Sequence, residues 1–165
     1  MSTWFFVLIQ ATVVAYALVG GVFLAFSDFI MRAFSKTGGD GGIDAMQVLN
    51  KEVFRWVFMT LFLGLAPVSL GITVYSVINL TGAASVLIGL AGAVYLVGCF
   101  GVTIAFNVPM NEALAKMDMG TAATRAYWTG TYLPRWTRWN TVRTVACVIS
   151  SVLVLSGLTW AVQPT

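Results

Sequence analysis

Hydrophobic and polar positions divide the chain into four long apolar runs separated by polar stretches of unequal length. Residues 3–27 carry no charge, which is enough chain to cross a hydrocarbon core of about 30 Å as a helix. They read as a retained span, since no basic segment precedes them and no small-residue cleavage site follows. Two further runs cover about 56–80 and 85–106, joined by a short uncharged turn from Asn79 to Ala84. The last run, 134–161, would be about 42 Å long at 1.5 Å per residue. It should therefore project from the bilayer at its arginine-bearing end. The pattern predicts an all-α, four-transmembrane-helix bundle, up-down-up-down, forming a single integral membrane domain over residues 1–165 with short helical connectors.

Smaller signals refine these elements. Ala17, Gly21 and Ala25 recur every four residues, and the third run carries Gly89, Gly92, Gly98 and Gly101. Both patterns predict close helix packing, and they also offer faces for a homo-oligomer. Asp28 and Arg32 stand at i, i+4 and are expected to pair. The glycines of TGGDGG (37–42) predict a loop, and Asp44 could cap a helix running through AMQVLNKEVFRW. On that helix Gln47, Asn50, Lys51 and Phe54 share a face. Pro67 should kink the second span, and Pro109 should break the third beside Asn107. The connector up to Leu133 is expected to be part helical.

Composition fixes the class. Of 165 residues, 59% are hydrophobic and 9% are charged, against roughly a quarter charged in soluble domains. The chain contains no histidine, which removes the usual metal and haem ligand and the usual neutral-pH base. Cys99 and Cys147 lie far apart with no C-x-x-C. They read as buried apolar thiols, with a long-range disulfide left open. No metal site and no nucleic-acid partner are expected. All nine Lys and Arg residues fall in 28–55 and 107–143, which a four-span chain places at one membrane face. By the positive-inside rule those loops are cytoplasmic and both termini lie outside, as expected for a bacterial inner-membrane protein.

The polar residues converge on the same face. In LPRWTRWNTVRT (133–144), Pro134 can open a helix. Trp136, Trp139, Asn140 and Arg143 then share a stripe at i, i+3, i+4 and i+7. An arginine at this depth is costly against lipid, so Arg143 should face a protein interior or a wet cavity. At the end of the third span, NVPMNEAL brings Asn107 and Asn111 to the same region.

AFSDFIMRAF, AMQVLN, NVPMNEAL and RWTRWNTVRT, in that order on four apolar segments, resemble the domain-of-unknown-function 1772 family. That family includes the anthrone oxygenases of fungal polyketide pathways. The resemblance runs over nearly the whole chain. Its polar residues match Asn107, Pro109 and Asn111, then Trp136, Trp139, Asn140 and Arg143. It implies a small membrane oxygenase that converts an anthrone to an anthraquinone with O2 and with no metal, flavin or other cofactor.

Such chemistry needs a substrate that supplies its own electrons. An anthrone does so once its ring CH2 loses a proton. The protein must then provide a flat apolar slot, hydrogen-bond donors, a cation for the anion, and a base. Trp136 and Trp139 are candidates for the slot, with Gln47, Asn50 and Asp28 as further substrate contacts. Asn107, Asn111 and Asn140 are candidate donors, and Arg143 is the candidate fixed charge. The base is not evident: Glu112 should point away on its helix, and Asp28 stands beside Arg32. Two other classes remain open. One is a non-catalytic bundle that binds a lipid or protein partner, and the other is a carrier. A carrier fits poorly because no polar residues line a path through spans two and three.

Overall fold

The computed structural model describes residues 2–161. Among them are four helices long and apolar enough to cross a membrane and one short helix that roofs one end. α1 is Thr3–Phe34, α2 the short helix Gly41–Glu52, α3 Trp56–Asn79, α4 Gly82–Ala115 and α5 Ala122–Ala161. The four long helices alternate in direction. α5 lies between α1 and α4, and α3 packs chiefly on α4.

Van der Waals packing, rather than hydrophobic exclusion, holds helices together in lipid, so close approach matters. A Cβ added at Gly98 would sit 2.8 Å from the Cβ of Ala146, and one at Gly92 2.3 Å from the Ser69 carbonyl oxygen. Those two glycines let α4 seat against α5 and α3, as the glycine run predicted. On α1 the expected face is wrong by one residue. Ala17 and Gly21 look outward, while Thr12, Tyr16, Val19, Gly20 and Phe23 are buried. Gly20 is the contact point, with Cys147 pressed against it.

Polar groups at membrane depth find partners inside the bundle, as they must where no water is available. The Tyr16 and Ser69 hydroxyls meet at 2.7 Å. Tyr95 donates to the Phe62 carbonyl at 2.8 Å, and Ser150 donates to that of Ala91 at 2.9 Å. Cys99 and Cys147 are free thiols with sulfurs 3.5 Å apart. At the uncharged end, Tyr75 stacks on Phe5 and its hydroxyl meets that of Ser2.

The charged end departs from the expectations in one consistent way. The third and fourth helices do not break at their prolines. Instead, π-helical turns occupy Thr103–Asn107 and Trp128–Tyr132, just ahead of Pro109 and Pro134. The N–H of Val108 reaches the Thr103 carbonyl, and that of Leu133 reaches the Trp128 carbonyl. These i→i+5 bonds let each helix continue past the missing proline donor. α4 therefore runs on to Ala115, and α5 begins at Ala122 rather than Pro134. α3 likewise continues through Pro67.

A third π turn, Phe26–Ile30, carries Asp28. Asp28 and Arg32 stand at i, i+4 but form no ion pair among the described residues. The ion pairs among the described residues are instead Arg55–Glu52 and Arg125–Asp40. α2 starts at Gly41 after Asp40, so Asp44 lies in its first turn and does not cap it.

Candidate functional site

α2 lies across the charged end and roofs a cavity of about 410 Å³, within the usual size range of small-molecule sites. The floor and walls are largely aromatic: Phe23 and Phe26 from α1, Phe58 and Phe62 from α3, Phe100 from α4 and Trp136 from α5. The Phe58 and Phe62 rings are parallel within 3°. The i, i+4 spacing of Phe58 and Phe62 puts them on one face of α3, and Phe54, just ahead of that helix, lines the cavity with them.

Arg143 supplies the charge. It is 5% exposed, and its guanidinium carbon sits 4.0 Å from the Phe23 ring centre and 5.3 Å from that of Trp136. Nη2 donates to Asn140 Oδ1 at 2.6 Å, and Nη1 donates to Thr103 Oγ1 at 3.2 Å. Nε has no hydrogen-bond partner among the described residues. No carboxylate within ion-pair distance faces the guanidinium among those residues either. A buried cation held by neutral acceptors and aromatic faces keeps most of its charge available to a ligand.

Asn140 stands behind that arginine rather than in the cavity wall. Its amide nitrogen donates to the Phe23 carbonyl at 2.5 Å and to Ser27 Oγ at 2.6 Å, tying α5 to α1. One side chain thus clasps a neighbouring helix and presents its oxygen to Arg143. Asn107 is also outside the wall. Its nitrogen donates to the Trp136 backbone carbonyl at 3.3 Å, and its Oδ1 is buried without a partner among the described residues.

Asn111 does line the cavity. Its Oδ1 accepts from the Tyr132 hydroxyl at 2.7 Å and from Trp136 Nε1 at 2.8 Å. That double acceptor fixes the indole plane, with Tyr132 stacked on Trp136 and Trp128 stacked on Tyr132. Gln47 and Asn50 reach the cavity from the roof. Gln47 donates to the Leu114 carbonyl at 2.8 Å and so pins α2 to the end of α4, while Asn50 approaches the Tyr132 hydroxyl at 3.5 Å.

Two expected substrate contacts lie elsewhere. Trp139 stacks on Phe106 at 3.7 Å between ring centres, on the flank of the bundle. Asp28 is exposed on its π turn and is not part of the cavity wall.

A family model described as Anthrone oxygenase matches residues 51–153. The chain belongs to the anthrone oxygenase family. The match takes in three of the four long helices. It leaves out the AFSDFIMRAF and AMQVLN segments, although α1 and α2 help to enclose the cavity. No curated protein and no solved structure matches the chain.

In this anthrone oxygenase family member, Glu112, which its helical position predicts to point away, is an exposed carboxylate that lines the cavity together with Gln47 and Lys51 of α2. Successive helical residues differ by about 100°. Because α2 crosses over the end of α4, Asn111 and Glu112 nevertheless reach the same space. Thr103 and the phenylalanines were also not among the expected site residues. For the phenylalanines, the i, i+4 spacing on α3 was the available signal.

Proposed function

We propose that the roofed cavity binds a flat aromatic substrate of the anthrone or quinol class and directs its oxygenation by O2. The observation that carries this reading is Arg143: a buried guanidinium, unpaired with any carboxylate among the described residues, facing a cavity walled by aromatic rings. An uncompensated buried cation is costly. An aromatic substrate that becomes an anion inside the cavity offsets that cost as the charge develops.

In this reading the rings of Phe58, Phe62 and Trp136 hold the substrate plane, and Arg143 faces the oxygen that gathers negative charge. Glu112 takes the proton from the ring CH2. The carbanion passes an electron to O2, and the resulting pair combines as a carbon-bound peroxide. Glu112 returns its proton to the peroxide, and loss of water leaves the ketone. The balance is one CH2 and one O2 to one C=O and one H2O. Asn111 and Asn140 act as positioning residues, Asn111 through the Trp136 indole and Asn140 through Arg143.

The test is isotopic. Purified protein in detergent, supplied with emodin anthrone and a chelator, should consume one O2 per anthrone above the spontaneous rate. With ¹⁸O2, one labelled oxygen should appear in the quinone. Uptake at the spontaneous rate across several anthrones would remove this substrate class.

A further inference from the structure

A second recess lies outside the roofed cavity, on the flank where the end of α1 meets the start of the membrane segment of α5. It is an open groove of about 470 Å³, walled by Arg32 and Ser35 on one side and Thr137, Arg138 and Thr141 on the other. Met31, Leu133 and Pro134 form its apolar floor. Neither Arg32 nor Arg138 has an ion-pair partner among the described residues. Asp28, the nearest acidic residue in sequence on α1, is not among the residues that line the groove.

The depth of this groove is set by the helices that form it. The uncharged run from Thr144 to Ala161 spans roughly 27 Å, close to the hydrocarbon thickness of about 30 Å. Arg138 therefore stands roughly 6–9 Å beyond the hydrocarbon edge. Arg32, five residues past the uncharged stretch of α1, stands at a similar level. Headgroup phosphates occupy this depth.

We infer that the groove is a specific site for one anionic phospholipid. The phosphodiester sits between Arg32 and Arg138, with the hydroxyl of Thr137 beside it. The glycerol and upper acyl carbons lie on Met31, Leu133 and Pro134. Two guanidiniums lining one cleft match an anionic headgroup in charge. A free phosphate would make no use of the apolar floor of Met31, Leu133 and Pro134. Occupancy would brace α1 against α5 one turn from Ser27 and Asn140, and the site stands independently of any reaction in the cavity.

Native mass spectrometry of the full chain in detergent tests this, with dioleoylphosphatidylglycerol, dioleoylphosphatidylcholine and inorganic phosphate as separate probes. A basic residue beside an anionic lipid surface accounts for roughly fivefold in affinity. One phosphatidylglycerol should therefore bind per chain, and the Arg32→Gln/Arg138→Gln double variant should bind it about thirtyfold more weakly. An Arg55→Gln/Lys116→Gln variant, which removes the same charge elsewhere, should keep the affinity of the parent. Both substituted pairs are exposed, so neither should impair folding, and circular dichroism with a melting curve checks this. Equal binding of phosphatidylcholine or inorganic phosphate, or equal losses in the two double variants, would overturn the proposal.

Discussion

Asn140 Oδ1 accepts from Arg143 Nη2 at 2.6 Å, one helical turn away on α5, while the same amide's nitrogen grips α1 at Phe23 and Ser27. The orientation of the buried cation and the packing of two membrane helices therefore depend on one side chain. Asn140→Ala should destabilise the protein by about 1–3 kcal/mol, because it leaves a buried donor unsatisfied. It should also weaken ligand binding. Asn140→Gln, which keeps the amide on a longer stem, should recover part of the stability. Thermal melts in detergent, with and without an aromatic ligand, separate the two effects. A variant that melts like the parent would show that the clasp carries little.

Glu112 gives a sharper kinetic expectation. A positioned general base typically contributes 10²–10⁴ in rate. Glu112→Gln should therefore lower kcat by about that factor with little change in KM. Glu112→Asp, which keeps the carboxylate on a shorter stem, should retain part of the rate. If Glu112→Gln turns over at the parent rate, water or another group takes the proton.

Asp40 and Arg125 form a bidentate pair, at 2.7 and 2.9 Å, that ties the loop ahead of α2 to the start of α5. The guanidinium holds the Asp40 carboxyl below its ordinary value of 3.8. A carboxyl lowered on folding contributes stability that is fully present above its unfolded pKa and is lost as pH falls through the folded one. Asp40→Asn should leave the protein insensitive to this titration, so its melting temperature should fall less than the parent's below about pH 4. The pair is solvent-accessible, and the difference should be small.

Much of this architecture was legible in the chain. Charge-free runs gave the four helices, and the i, i+4, i+7 spacing put Trp136, Asn140 and Arg143 on one buried face. Trp139 failed because it lies on the edge of that stripe, where Phe106 of α4 stacks on it. The prolines failed for a common reason. Pattern reasoning at a fixed 100° per residue has no place for a π turn, and π turns carry α4 and α5 past Pro109 and Pro134. The roof was hidden for a different reason. Gln47 bonds to a carbonyl 67 residues away, and nothing local to either segment announces that contact. Without it, Glu112 reads as facing away.

All nine basic residues lie at the roofed end, and the positive-inside rule predicts that this end faces the cytoplasm. A cysteine at Ser2 should react with an impermeant maleimide added to intact cells, and one at Lys36 should react only after lysis. Thr165, at the other terminus, lies outside the described residues. Cys99 and Cys147 are buried and should stay silent. The reverse labelling pattern would put the cavity in the opposite compartment.

In the proposed reaction Arg143 stabilises an anion formed inside the roofed cavity. The most direct measurement is O2 uptake with emodin anthrone by Arg143→Gln and Arg143→Lys, each shown by its melting curve to be folded in detergent. Losing one such electrostatic contact typically costs about 10²–10³ in rate. Arg143→Gln should fall by that much in kcat, and Arg143→Lys should recover only part of the loss, because an ammonium lacks the planar fork. If Arg143→Gln is folded and turns over at the parent rate, the cation is not where the reaction's charge develops, contrary to the role proposed for Arg143.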